Sequence, residues 1–193
     1  MIRLKNDDQI AAIRKSCHEL ADLFNEIIPK IKPGVSTKEI DDWCVDFIRK
    51  HGGKPAWHSE GFPGAACISI NEQVIHGVPS KKVFVEDGDL VSLDIGINLN
   101  GYISDSTHTV MVGNVAKEHQ KLVRVTRECL AAGIQACVRG NRISDISNAV
   151  YDIAYKQNGY GVVYEYCGHG VGLDVHEDPS IANCPSRGPN PRI

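Results

Sequence analysis

The sequence predicts an α+β protein built from two related lobes, and three observations carry the prediction. Capped helical stretches precede alternating strand patterns, one helical segment recurs 106 residues further on, and a tight hairpin joins two strands that each carry an aspartate. A chain of 193 residues is long enough for one sizeable core or for two half-size lobes sharing one.

Taken in order, Ile10, Ile13, Cys17, Leu20, Phe24 and Ile27 recur at spacings of three and four from about Asn6 onward. That is the apolar stripe of a helix, stopped by Pro29 and Pro33-Gly34. Ser36 and Glu39 form a capping box for a second helix with Ile40, Trp43, Cys44 and Phe47 on its apolar face, ended by Gly52-Gly53. Residues 66 to 75, ACISINEQVI, alternate as a strand and run into His76-Gly77-Val78-Pro79. Further strands are expected at 89 to 97 and 102 to 112, with NLNG between them as the turn. Helices follow at about 117 to 138 and 144 to 157, separated by Gly140 and closed by Asn158-Gly159.

Shifting the segment 32 to 53 by 106 residues lays Gly34 on Gly140, Ile40 on Ile146, Phe47 on Ile153 and Gly53 on Gly159. An internal duplication of this kind predicts one domain over 1–193, with a lobe at about 1–113 and a pseudo-twofold-related lobe at about 114–193.

Composition narrows the partners. A net charge of -3 with 23% charged and 42% hydrophobic residues gives no basic excess for DNA, and no apolar run reaches the length of a membrane span. Seven cysteines, an odd number with no CxxC pair and no signal peptide ahead of them, read as reduced thiols in a cytoplasmic protein. Small molecules or peptides are the expected ligands.

In LVSLDIGI, Val91, Leu93, Ile95 and Ile97 point to one face and Asp94 to the other, with Ser92 and Gly96. Asp105 lies on the return strand. A turn centred on Leu99-Asn100 sets the two carboxylates directly opposite each other, whereas a turn on Asn100-Gly101 makes them diagonal neighbours on one face. At about 5 Å they would repel by about 3 kcal/mol at an effective dielectric near 20. A shared proton, a basic neighbour or a divalent cation would relieve that, and neither strand carries Lys or Arg. The plain alternative is that one aspartate faces solvent and the pair never meets.

The stretch YCGHGVGLDVHEDPSI, from Tyr166 to Ile181, sets His169 and His176 among glycines that let backbone and ligand approach closely. Oxygen donors plus an imidazole suit Mn, Fe, Co or Zn. A structural role for either histidine is the alternative.

Together, HGVP at 76 to 79, DIGINLNGYISDST at 94 to 107, GHGVG at 168 to 172 and HEDP at 176 to 179 resemble the type I methionine aminopeptidases, dinuclear metallopeptidases of the pita-bread fold. The resemblance runs from the first helix to about residue 183. It implies removal of the initiator methionine from peptide or nascent-chain N-termini with two divalent metal ions. Asp94 and Asp105 would be metal ligands with His169, while His76 and His176 would hold the substrate and stabilise the developing oxyanion. Phe62 and Cys67 would line the methionine pocket.

The chain also departs from that pattern. The family's two C-terminal glutamate ligands have no match here, since Glu165 and Glu177 are the last glutamates. The expectation is therefore a truncated domain without the last strands of its second lobe, holding one metal or none, inactive or weakened, with an exposed sheet edge open to self-association or a completing chain. Ser59 and Val175 stand where the family commonly has aromatics, so the pocket would be wider. A non-catalytic peptide-binding module and a proline-specific peptidase of the same fold, which shares the wording GLDVHEDP, are the alternatives.

Overall fold

The protein is described by a computed structural model covering residues 1–193. It divides into two compact units. The hairpin unit comprises Leu4–Ala116 with Val171–Val175, and the histidine unit comprises Met1–Arg3, Lys117–Gly170 and His176–Ile193.

In the hairpin unit, α1 (Asp7–Ile27) starts at Asn6, which exchanges two bonds with Gln9: the Asn6 side chain accepts from Gln9 N and Gln9 Oε1 accepts from Asn6 N. Its buried stripe is Ser16, Leu20, Leu23, Phe24 and Ile27, so Ile10 and Cys17, both expected to face inward, are exposed. A polar contact sets that rotation. The Ser16 hydroxyl bonds the Ile97 carbonyl at 3.1 Å and the Ser104 hydroxyl at 2.9 Å, which satisfies two buried polar groups where an apolar side chain was expected. The expected Ser36–Glu39 box opens α2 (Thr37–Lys50), with Glu39 N donating to Ser36 Oγ and Ser36 N donating to Glu39 Oε2.

Strand β3 (Leu90–Leu99) is the centre of the sheet. Antiparallel β4 (Tyr102–Met111) pairs with one side of it, and β1 (Lys54–Pro55) and β2 (Ala66–Ile70) pair in succession with the other. Asn100 and Gly101 both have left-handed backbone, φ 56° and 90°, as a two-residue hairpin turn requires. Leu99 therefore pairs with Tyr102, and the turn is the one centred on Asn100-Gly101. One sheet face, including Val91, Leu93, Ile95, Ile97 and Ile68, packs with Leu23 and Ile27 of α1 and Ile40 and Ile48 of α2 into the main core. Each such fully buried side chain contributes about 2 kcal/mol. Strand β2 ends at Ile70 instead of running to 75. Asn71 turns the chain at φ 54°, and it folds back until Ile68 N donates to the Gly77 carbonyl at 2.8 Å.

The histidine unit holds α3 (Lys117–Ala136) and α4 (Ile143–Tyr151), which pack where Gly133 leaves room for Ile146 and Val150. A π-helical turn (Asp152–Gln157) carries the chain on, where one straight helix to 157 was expected. There, Tyr160 N reaches back to the Ala154 carbonyl. Strands β5 (Gly168–Gly170) and β6 (Glu177–Ile181) form a two-stranded antiparallel pair that no periodicity announced.

The same backbone bonds recur in both units. Gly34 N donates to Val85 O, Val85 N to Val35 O and Thr37 N to Val83 O. In the other unit, Gly140 N donates to Ile193 O, Ile193 N to Asn141 O and Ile143 N to Pro191 O. The helix side repeats at an offset of 106 and the strand side at 108.

Candidate active site

The site face of the hairpin unit is the side of the sheet turned away from α1. Asp94 pairs with Thr107 and Gly96 with Asp105, so the two carboxylates are diagonal neighbours on one face. Cys67 of β2 is the register partner of Asp94 from the other side and shares that face. Trp57 fixes the arrangement from above: its indole Nε1 donates to the Asp94 carbonyl at 3.2 Å. A Cβ at Gly96 would come within 2.9 Å of Ala56 Cβ and 3.0 Å of the Trp57 ring, so only glycine lets the indole lie there.

Beside the acids lies a second, smaller apolar cluster of Ala56, Trp57, Cys67, Ile103 and Val175, with Phe62 and Val171 against it. Burial, and then the negative charges of Asp94, Asp105 and Asp41, push the Cys67 thiol up to about 12, so it sits in the wall as a neutral, small apolar group. Of the two positions expected to widen the pocket, Val175 is in this wall, whereas Ser59 is exposed and bonds the Ala56 carbonyl through its hydroxyl.

His76 lies on the loop that returns to β2. Its φ of 58° is left-handed, a conformation that costs a non-glycine residue about 1 kcal/mol and is held here by its neighbour. Gly77 donates to Ser69 Oγ at 3.2 Å and accepts from Ile68 N, and a Cβ there would collide with the Ile68 carbonyl.

In the histidine unit, the β5–β6 pair brings His169 and His176 together, with ring centroids 4.4 Å apart and planes tilted by 49°. His169 Nδ1 lies 2.9 Å from the Gly170 carbonyl; as donor in that bond, it leaves the lone pair of the neutral ring on Nε2. Glu177 next to His176 has a side chain only 2% exposed and pairs with the Arg3 guanidinium at 3.2 Å, while the Met1 ammonium bonds Asp178. The structure thus groups Asp94, Asp105, Cys67, Phe62 and His76 in one unit, and His169 and His176 in the other. Sequence reasoning missed Trp57, Ile103 and the Arg3–Glu177 pair; alternation on β4 could have found Ile103, two residues from Asp105 on the same face.

Does this set of groups fit a metal? Two carboxylates share a sheet face whose two strands supply no Lys or Arg, and an imidazole in the other unit has its tautomer set by a backbone carbonyl. Hard oxygen donors are those that divalent first-row metals take, so the chemistry of Asp94 and Asp105 suits such a cation, although no three His, Cys, Asp or Glu side chains stand together as a complete ligand set.

The model of metallopeptidase family M24 matches residues 11–192. The chain belongs to the methionine aminopeptidases of this family. It is 63% identical to the methionine aminopeptidase of Treponema pallidum, spanning 100% of this chain and 75% of that protein. Its identity to the enzyme of Borreliella burgdorferi is 46%, over 94% and 72%. Among solved structures, the methionine aminopeptidase of Thermotoga maritima superposes with a TM-score of 0.94 at 33% identity, covering 100% of this chain and 78% of that one. The prolidase of Pyrococcus furiosus gives 0.83 at 28% identity, over 93% and 52%. The α+β pita-bread fold is thereby borne out, and the proline-specific alternative is not favoured. The chain spans about three-quarters of the length of the relatives it matches. No helix is long and apolar enough to cross a membrane.

Proposed function

We propose that the chain binds the N-terminal methionine of peptides and nascent chains in the cytoplasm and carries the residues that hydrolyse the bond after it. One observation carries this reading: two diagonal carboxylates share a sheet face with Cys67, a member of a buried apolar cluster that also holds Trp57, Ile103 and Val175. Asp94, Asp105 and His169 are the proposed donors for divalent cations, with Mn, Fe, Co or Zn as candidates. When bound, the cation supplies Lewis acidity toward the scissile carbonyl.

The chain's own residues do the rest. Phe62, Cys67 and the surrounding apolar wall take the methionine side chain and exclude water around it. His76, held in its strained turn by Gly77, donates to the peptide backbone. His176 stabilises negative charge as it develops on the carbonyl oxygen. Two carboxylates and one imidazole are donors for one cation more readily than for two, so hydrolysis by residues 1–193 is expected to be weak. Glu177, the buried glutamate beside His176, is engaged by Arg3. The two-stranded β5–β6 pair and the exposed α3 side chains Leu130 and Ile134 favour association with a second chain. Sedimentation reads that as a mass rising with concentration.

The test is hydrolysis and binding of a Met-Gly-Xaa peptide with manganese or cobalt present. Metal-dependent binding with slow release of methionine is expected. Binding that ignores the metal and the Asp94→Asn change would make this a peptide-binding module instead.

A further inference from the structure

Asp41 lies on α2, and its side chain is only 4% exposed. Its Oδ1 accepts from two successive backbone amides, Ala65 N at 2.7 Å and Ala66 N at 3.2 Å, and its Oδ2 meets Lys38 Nζ at 3.0 Å. Those amides open β2, whose next residue is Cys67. The chain just before them passes so close that a Cβ on Gly64 would be 2.9 Å from Asp41 Oδ1, 2.9 Å from Pro79 Cγ and 3.1 Å from Phe62 Cε1. Asp41, Gly64, Phe62 and Pro79 are therefore one packed knot, and Pro79 belongs to the loop that carries His76.

One turn earlier on the same helix, Thr37 does the equivalent for the second loop. Its hydroxyl accepts from Ser80 N at 2.9 Å and donates to the Ser80 carbonyl at 3.2 Å, and Lys38 N also donates to that carbonyl. Residues four apart lie on one helix face. The first turns of α2 thus hold both loops that flank β2 from behind. A buried carboxylate that accepts two backbone amides is a short, charge-assisted anchor, stiffer than a loop held by packing alone.

From this geometry we infer that Asp41 is a positioning residue for side-chain selectivity: it fixes the Phe62–Cys67 wall from outside the pocket without touching substrate. The selectivity role rests on the proposed methionine site; the anchoring role does not. Loss of the anchor lets the 61–67 segment open locally, at a free-energy cost below that of global unfolding.

The experiment measures alkylation of Cys67 by iodoacetamide, located by peptide mass mapping, under conditions where the chain is folded. Asp41→Ala is expected to raise the Cys67 rate at least about tenfold by local opening, and Asp41→Asn, which keeps the Oδ1 acceptor, by much less. Ser16→Ala is the control for general destabilisation, since it removes buried hydrogen bonds in the same unit and leaves the knot intact. It should lower the melting temperature without selective exposure of Cys67. Should Asp41→Ala fail to fold, Gly64→Ala drives a methyl into the same knot and must give the same rise. A folded Asp41→Ala or Gly64→Ala chain with the Cys67 rate unchanged, or raised no more than in Ser16→Ala, overturns the inference. In parallel, calorimetry with manganese present compares Met-Ala-Ser with Leu-Ala-Ser. Preference for methionine should narrow in Asp41→Ala and persist in Ser16→Ala. If the unaltered chain binds neither peptide, the methionine site fails while the Cys67 rates still decide whether Asp41 is the anchor.

Discussion

The two units answer one structural problem with different amounts of chain. Each presents a pair of helices whose second member starts beside a short strand segment, fastened by the same three backbone bonds. In the hairpin unit, the next residues are β3 and β4, and their apolar face covers Leu23, Phe24 and Ile27 of α1. The outer face of α3 shows Leu130 and Ile134, each more than half exposed, lining an apolar groove of about 470 Å³. Similar helices are thus a core element under a hairpin in one unit and an exposed surface in the other.

Truncating counterpart helices sharpens that contrast most. Leu23→Ala should cost about 3 kcal/mol in urea denaturation, the usual range for a fully buried leucine, whereas Ile134→Ala should stay within about 0.5 kcal/mol. Ile134→Ala should also weaken binding of an apolar fluorescent dye, which Leu23→Ala should not. Equal costs at the two positions would show that the α3 face is covered in solution.

Helix capping gives the next effect. Ser36 caps α2 with its own side chain. Its counterpart Arg142 has no acceptor to offer, and Asn190 supplies the bond instead through Oδ1 to Ser144 N at 3.0 Å. Ser36→Ala should cost about 1 kcal/mol and Asn190→Ala a comparable amount, with Arg142→Ala contributing less than either. Amide exchange at the starts of α2 and α4 reads these separately.

The smallest effect is in acid. Hydrogen bonds from the Ser36 amide, and then its hydroxyl, hold Glu39 below its ordinary value of 4.5. A lowered folded-state value means that its contribution is present above the unfolded value and is lost as the pH falls through the folded one. In α1 the same position is Gln9, which does not titrate in this range. The Ser36 amide resonance should therefore shift with a midpoint below 4.5, and the Asn6 amide should not follow it.

These contrasts explain what could be read from residue order. Caps and the Asn-Gly turn are local, so Ser36–Glu39 and the Asn100-Gly101 hairpin were visible, and the hairpin register followed once that turn was chosen over its neighbour. Ser16 was hidden because its partners, Ile97 and Ser104, are more than eighty residues away. The early end of β2 depends on Gly77 returning to Ile68, and Trp57 reaches the site only through Gly96. Strands β5 and β6 are three and five residues long and rich in glycine, acid and proline, too short for an alternation to declare itself. Motifs therefore named the candidate chemical groups, while the supports behind them, Asp41 above all, depend on tertiary contact.

Asp94 and Asp105 share one sheet face, and a divalent cation is the proposed reason for keeping them there. Isothermal titration of manganese into the 193-residue chain and into its Asp94→Asn variant tests it most directly. Saturable uptake by the first and its loss in the second, with both folded, is expected; uptake that is unchanged by the substitution, or absent from the unaltered chain, rules out a cation held by these two carboxylates.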